Sequence, residues 1–296
     1  MGGTVRLGPV VPFGPMLWEA HTGPFRVFAI EDGWALLDPL AMFPGSDGDF
    51  WADSELLIDD RIRVSYCCYL VSGPDGHVMV DTGKGPQSES GAATATWGKM
   101  PEGLLHLGVD RGDVIAVIHT HLHNDHIGGN VVDGTPFFPN ARWYIHGSEL
   151  EYWGGTAAAA AAIDPLLALG LVEVIDGPSV ILPGIAVLET LGHTPGHISV
   201  EVTAEDDTMF IAGDVTHHPV QAAHPEWHVQ ADVNPAQAET TRRLLFEALT
   251  SSDIVLAASH YPSPHFGRIG MANRERIYVP DSAVRHLRDQ DQADLG

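Results

Sequence analysis

The sequence predicts a mixed α/β protein. Two observations carry that expectation: short apolar runs rich in β-branched residues recur along the chain, and segments with helical length and start signals lie between them. In order, strands are expected near 64–71, 77–81, 114–118, 142–146, 185–190, 198–203, 208–212 and 254–258. Helices are expected near 87–98, 147–153, 164–169 and 235–249. The last of these has the clearest start, because Asn234-Pro235 supplies a capping side chain followed by Pro at the first helical position. The alanine run 157–162 is low in complexity and reads as a helix or a flap without chemistry of its own. Residues 1–60 are punctuated by Pro and Gly and carry Phe13, Trp18, Phe25, Phe28, Trp34, Phe43, Phe50 and Trp51. This segment is expected to be an extension packing on a single unit of residues 61–296. It would cover the site, build a homodimer contact, or supply ordinary core aromatics at a sheet edge.

Composition fits a globular protein. The chain has 296 residues, 44% hydrophobic and 18% charged, enough to bury roughly three quarters of its unfolded surface in one large domain. Lys and Arg number 15 against 39 Asp and Glu, a formal net charge of −24 that would repel a phosphate backbone, so nucleic acid is not an expected partner. The charge run from Arg285 to Asp294 reads as a solvated terminal helix or tail. No apolar run reaches transmembrane length and Met1-Gly-Gly-Thr lacks a basic region followed by a long apolar core, so no membrane partner and a cytoplasmic location are expected. Cys67 and Cys68 are adjacent on a strand-like run, so their side chains point to opposite faces and read as two small core residues or as one core and one surface residue.

The most informative stretch is His119 to His126, H-T-H-L-H-N-D-H. It follows the apolar run 113–118 and closes on Gly128-Gly129, which makes it a loop at a strand's carboxyl end, where α/β sheets place their ligands. His121 and His123 can converge on one ion, while Asp125 and His126 can turn toward a second. Imidazole and carboxylate suit zinc and similar divalent ions. Further donors stand at other strand ends: His197 in Leu191-Gly-His193-Thr-Pro-Gly-His197, Asp214 after Met209-Phe-Ile-Ala-Gly213, and His260 after Ile254-Val-Leu-Ala-Ala-Ser259. His119 reads as packing or support.

In this order the motifs resemble the metallo-β-lactamase superfamily over about Val78 to Gly270, and Asp81 in Val78-Met-Val-Asp81-Thr-Gly83 is similar to the D-T-G element near that family's metal loop. The resemblance implies a four-layer αβ/βα sandwich with the site between two sheets. It implies one metal held by His121, His123 and His197, a second by Asp125, His126 and His260, with Asp214 bridging and Asp81 behind the ligands. Two zinc ions are expected, although manganese, iron or cobalt suit the same donors. Ions about 3.5–4 Å apart can share a hydroxide at near-neutral pH, and that metal-bridged hydroxide would be the nucleophile, with Asp125 steering its proton. His at position 123, where the flavodiiron branch carries Glu, favours hydrolysis.

Gly213-Asp214-Val-Thr-His217-His218, the helix after Pro235, Ser259-His260-Tyr261-Pro and Asp38 to Gly45 are similar to the methyl parathion hydrolase-type branch, whose relatives include N-acyl-homoserine lactone lactonases. The expected activity is therefore cleavage of a small-molecule lactone or other carboxylic ester. Phosphotriester or aryl-ester cleavage is the alternative within hydrolases, and a mononuclear-iron, persulfide dioxygenase-like oxidoreductase the alternative outside them. Many such lactonases place a Tyr three residues after the bridging Asp, where this chain has His217. His217 is expected to hydrogen-bond the substrate oxygen, and His218 and Tyr261 to reach the substrate. His106, His146, His193, His265 and His286 read as structural or surface residues, and Arg242 and Arg243 as anchors of the late helix to nearby carboxylates.

Overall fold

A computed structural model describes residues 16–52, 54–86 and 94–287. Two sheets face each other. The first runs in the order Val172–Ile175, Arg142–His146, Val114–Ile118, Gly76–Val80, Arg61–Gly73, Phe25–Leu37, Met16–Thr22 and Arg285–Leu287, with Leu57–Ile58 and Ala95–Thr96 paired at its side. The second runs in the order Ser179–Leu182, Ile185–Glu189, Ile198–Ala204, Asp207–Ile211, Val255–Ala257, Phe266–Ala272 and Glu275–Pro280.

Alternating side chains explain the layers. Val27, Ala29, Tyr69, Val71, Val78, Val80, Ala116 and Ile118 of the first sheet meet Val187, Val200, Val202, Met209, Ile211 and Phe266 of the second in one buried core. The opposite face of the first sheet, with Ile30, Leu70, Met79, Val117 and Trp143, packs on Met100 and Leu104 of the helix Met100–His106 and on Leu166 of Asp164–Ala168. Phe210, Leu256 and Ile269 of the second sheet's outer face pack on Phe246 and Leu249 of the helix Pro235–Thr250. The result is the expected αβ/βα sandwich. Cys67 lies in the core between the sheets and Cys68 in the outer one, as adjacent strand positions require.

The expected strands begin and end within a residue or two of expectation except Arg61–Gly73, which starts three residues early, and Asn234 caps its helix by accepting from the Gln237 N–H at 3.2 Å. Three expectations change. From Met16 onward the N-terminal segment is not laid over a core: Met16–Thr22 and Phe25–Leu37 are strands inside the first sheet, paired from Arg26 with Ser72 to Leu37 with Ile62. Arg285 belongs to a strand paired with Met16–Thr22, and its guanidinium reaches Glu19 at 2.7 Å; residues 288–296 lie outside the described residues. Of the helix expected near 87–98, residues 87–93 lie outside the described residues, and Ala95–Thr96 is a strand against Trp34 and Ala35. The alanine run is a helix, Ala157–Ala162, capped by Thr156 and seated through Ala159 and Ala162. Among the described residues no helix is long and apolar enough to cross a membrane.

Candidate metal centre

Every donor cluster stands where a strand's carboxyl end releases the chain into a loop. Val114–Ile118 leads to His121, Asp207–Ile211 to Asp214 and Val255–Ala257 to His260. Backbone bonds lock these loops together: the Ile198 N–H donates to the Thr120 carbonyl at 2.9 Å, Ala212 to Ala257 at 2.8 Å and Cys67 to Ser259 at 3.0 Å.

His121, His123, His193 and Asp214 form the first cluster, with one donor atom from each within 4.8 Å of the others. His123 Nδ1 lies 2.9 Å from His121 Nε2 and 3.0 Å from His193 Nε2. Asp214 Oδ2 lies 3.3 Å from His193 Nε2 and 3.7 Å from His121 Nε2. Asp125, His126 and His260 form the second cluster. The same Asp214 reaches it, with Oδ1 at 3.3 Å from His126 Nε2 and Oδ2 at 3.0 Å from His260 Nε2. Asp214 thus faces both clusters.

These donors suit cations. Zinc–nitrogen bonds of about 2.0–2.1 Å in a tetrahedron set ligand atoms roughly 3.4 Å apart, the spacing found here. His126 Nε2 and Asp214 Oδ1 are buried without a hydrogen-bond partner, as are both ring nitrogens of His217. Burial pushes His121 well below the ordinary histidine range and His123 down to about 4, so both present neutral rings. For Asp214, burial would raise the pKa, but His126, His260 and His217 outweigh it and hold the carboxyl well below its usual range. His126 moves the other way: burial disfavours its charge, yet Asp214 and Asp81 outweigh burial and raise it well above an ordinary histidine. Asp214 and Asp81 thus place negative charge where a cation is stabilised, and the proton held on His126 is the one a bound metal ion would displace.

Supporting groups orient the rings. Asp81 Oδ2 accepts from Thr120 Oγ1 and contacts His126 Nδ1, each at 2.7 Å, and its Oδ1 accepts the Thr120 N–H at 2.9 Å. His260 Nδ1 donates to the Ser65 carbonyl at 2.7 Å. His119 is buried and stacks on Trp143, 5.8 Å between centroids, beside Asp81.

The third histidine of the first cluster needs correction: the structure brings in His193 and leaves His197 out. His197 Nε2 accepts the Asp214 N–H at 2.9 Å and its Nδ1 meets Thr190 Oγ1 at 2.8 Å, so neither nitrogen is available to an ion. A signal was present. His193 lies four residues past Glu189 at a strand's carboxyl end, whereas His197 immediately precedes Ile198–Ala204. Asp232 completes the arrangement by accepting from His193 Nδ1 at 2.8 Å, and it is itself held by the buried Arg242 at 3.5 Å. Arg242 also donates to the carbonyls of Val215 and Pro225 and so anchors its helix, whereas Arg243 pairs with Glu239 inside that helix and reaches Glu226 outside it only at 3.5 Å.

A cavity of about 510 Å³ opens over the clusters. Its floor carries His123, Asp125, Asp214, His217 and His260, and its walls include Leu37, Ala41, Met42, Val64, Val229 and Ala231. His217 lines it, stacked on His260 with Nε2 at 3.2 Å from Asp214 Oδ2. His218 and Tyr261 do not line it. His218 accepts the Val220 N–H at 3.3 Å and packs edge-on against Phe43 and Trp51. Tyr261 is fully buried, with its hydroxyl 2.9 Å from Thr216 Oγ1. Sequence reasoning missed Glu149 and Tyr66. Glu149 accepts from the Leu122 and Gly196 N–H groups at 3.0 and 2.8 Å and from Trp153 Nε1 at 2.9 Å, tying together the two loops that carry His121 and His193. Its one sequence mark is a place in the first turn of the helix after Arg142–His146.

Two curated relatives, N-acyl homoserine lactonases of Bacillus sp. and Bacillus cereus, are 30% and 28% identical over 52% and 54% of this chain. The matches span 64% and 66% of those relatives, a little under two thirds of their length. Among solved structures, the hydrolase AbOPH of the beta lactamase superfamily superposes with a TM-score of 0.81 at 24% identity, covering 92% of this chain and 99% of that one. AidC, a dizinc quorum-quenching lactonase, superposes with a TM-score of 0.78 at 19% identity, covering 90% and 98%. These two likenesses establish the fold. The metallo-beta-lactamase superfamily profile matches residues 63–260. Because that match runs from the strand backing the cavity to the histidine that closes the second cluster, the chain belongs to the metallo-beta-lactamase superfamily.

Proposed function

We propose that this chain is a metal-dependent hydrolase that opens a lactone or cleaves another carboxylic ester. The observation that carries the reading is the cavity: His123, Asp125, Asp214, His217 and His260, drawn from donor groups that meet around Asp214, line it beside apolar side chains. His121, His123, His193 and Asp214 would hold one divalent ion, and Asp125, His126, His260 and Asp214 a second, with zinc the expected metal. Such ions supply Lewis acidity and acidify water.

The chain's own residues do the rest. Leu37, Ala41, Met42, Val64, Val229 and Ala231 give an acyl chain an apolar surface to pack on. His217 is held down at about 4 by burial, so at neutral pH it offers one ring N–H to the substrate oxygen. Burial opposes ionisation of Asp125, but His126 and His260 outweigh it, so its carboxylate can accept and orient the proton of the attacking water. The names of the curated relatives point to N-acyl homoserine lactones as the substrate class.

The test is proton release by zinc-reconstituted protein on a long-chain N-acyl-homoserine lactone, with an aryl phosphotriester in parallel and metal content measured on the same sample. Metal-dependent lactone opening with about two ions per chain is expected. Turnover of the phosphotriester alone would overturn the ester reading, and one iron per chain with oxygen consumption would overturn hydrolysis.

A further inference from the structure

The cavity wall beside the second cluster carries a hydroxyl outside both donor sets. Tyr66 lies on Arg61–Gly73, one residue past Ser65, whose carbonyl orients His260, and its ring meets His260 edge-on at 6.0 Å. Tyr66 lines the same cavity as Asp125, Asp214 and His217. The Lys84 ammonium donates to the Tyr66 hydroxyl oxygen at 3.3 Å and lies 4.3 Å from the centroid of the Tyr66 ring and 4.7 Å from that of Trp97.

An ammonium has only donors, so the phenol oxygen is the acceptor in this bond and its own hydrogen remains to be used. Among the described residues that hydrogen has no acceptor. The lysine is placed by the backbone. The Lys84 N–H donates to Asp32 Oδ2 at 2.9 Å, while Asp32 Oδ1 accepts from Met100 at 2.8 Å. Gly83 before it has φ +70°, and a Cβ there would fall 2.6 Å from the Asp32 carboxylate, so the turn presenting Lys84 depends on glycine.

We propose that Tyr66 is a catalytic residue whose O–H donates to the substrate's carbonyl oxygen as it gains charge, and that Lys84 is the positioning residue that turns this hydrogen toward the cavity. The inference rests on the ester-hydrolysis reading. It supplies a phenol donor from a strand of the first sheet to the cavity that His217 also lines. The bond strengthens from ground state to transition state without transferring a proton, so its loss should fall on kcat more than on KM.

The experiment compares Tyr66→Phe, Lys84→Met, Lys84→Arg and the double variant Tyr66→Phe/Lys84→Met on the lactone that wild type turns over, with metal content and melting temperature recorded for each. Tyr66→Phe should lower kcat roughly 10- to 100-fold, with KM changed less than about threefold and metal content unaltered. Lys84→Met should lower kcat about tenfold, Lys84→Arg should restore most of it, and the double variant should lose no more than Tyr66→Phe alone. Wild-type kcat in Tyr66→Phe, a change confined to KM, or additive losses in the double variant would overturn the inference while the ester reading stands. A wild-type protein inert towards every lactone and ester would overturn both. Should Tyr66→Phe fail to fold, Lys84→Met and its rescue by Arg decide the case.

Discussion

Asp232 meets His193 Nδ1 at 2.8 Å, which leaves His193 Nε2 facing Asp214 Oδ2 at 3.3 Å. The carboxylate fixes the tautomer that puts a lone pair into the first cluster, and Arg242 behind it keeps the carboxylate charged. Asp232 is held below the ordinary aspartate range: burial would raise it, but His193, His217 and Arg242 outweigh burial. Asp232→Asn should therefore weaken the first metal about 10- to 100-fold, read by competition with a chelator, while the second metal is retained.

The exchange of His193 for His197 in the donor set gives a direct contrast. His193→Ala should lose one equivalent of metal together with activity. His197→Ala should keep both equivalents and lower the melting temperature, because it strands the buried Asp214 N–H and leaves Thr190 Oγ1 with Ser199 Oγ alone. Metal analysis of the two purified variants decides between them, and full metal content in His193→Ala would return the ligand role to His197.

Glu149 joins the loops of His121 and His193 through three N–H donors. In Glu149→Gln one acceptor becomes an NH2 group that faces a donor. The substitution should destabilise the protein by about 1–3 kcal/mol, read as a shift of the urea midpoint at unchanged slope. Metal binding should weaken with it, since both loops carry donors.

A pH dependence follows from Glu31, which lies far along the first sheet's strand but is fully buried beside Arg63 and His265. Burial would raise its pKa, yet Arg63 and His265 outweigh burial and set the folded value below the ordinary 4.5. A depressed folded value means that the stabilisation is present above pH 4.5 and is lost as pH falls through the folded pKa. The urea midpoint of wild type should drop below pH 4.5 more steeply than that of Glu31→Gln, in which this titration is absent. Parallel curves would remove Glu31 from the acid response.

The residue pattern alone determined the strands at the centre of both sheets, because runs such as Val114–Ile118 and Asp207–Ile211 are apolar and β-branched enough to declare themselves locally. It also determined the kind of chemistry, since His121, His123, Asp125 and His126 lie in one short loop and need no long-range contact to be seen as donors. Tertiary structure alone decided which histidine of the 191–197 turn faces Asp214. Their places relative to the flanking strands favour His193 only weakly, and the Asp214 N–H and Thr190 on one side and Asp232 on the other are what separate the two imidazoles. The edge of the first sheet was hidden for a related reason. Met16–Thr22 and Arg285–Leu287 are stabilised by pairing with each other across nearly the whole chain, and Glu19 meets Arg285 only once the strands are side by side. Glu149, Asp232 and Tyr66 likewise read as ordinary polar residues until folding delivers them to the site, because a supporting carboxylate or phenol has no local signature and is defined by what it faces.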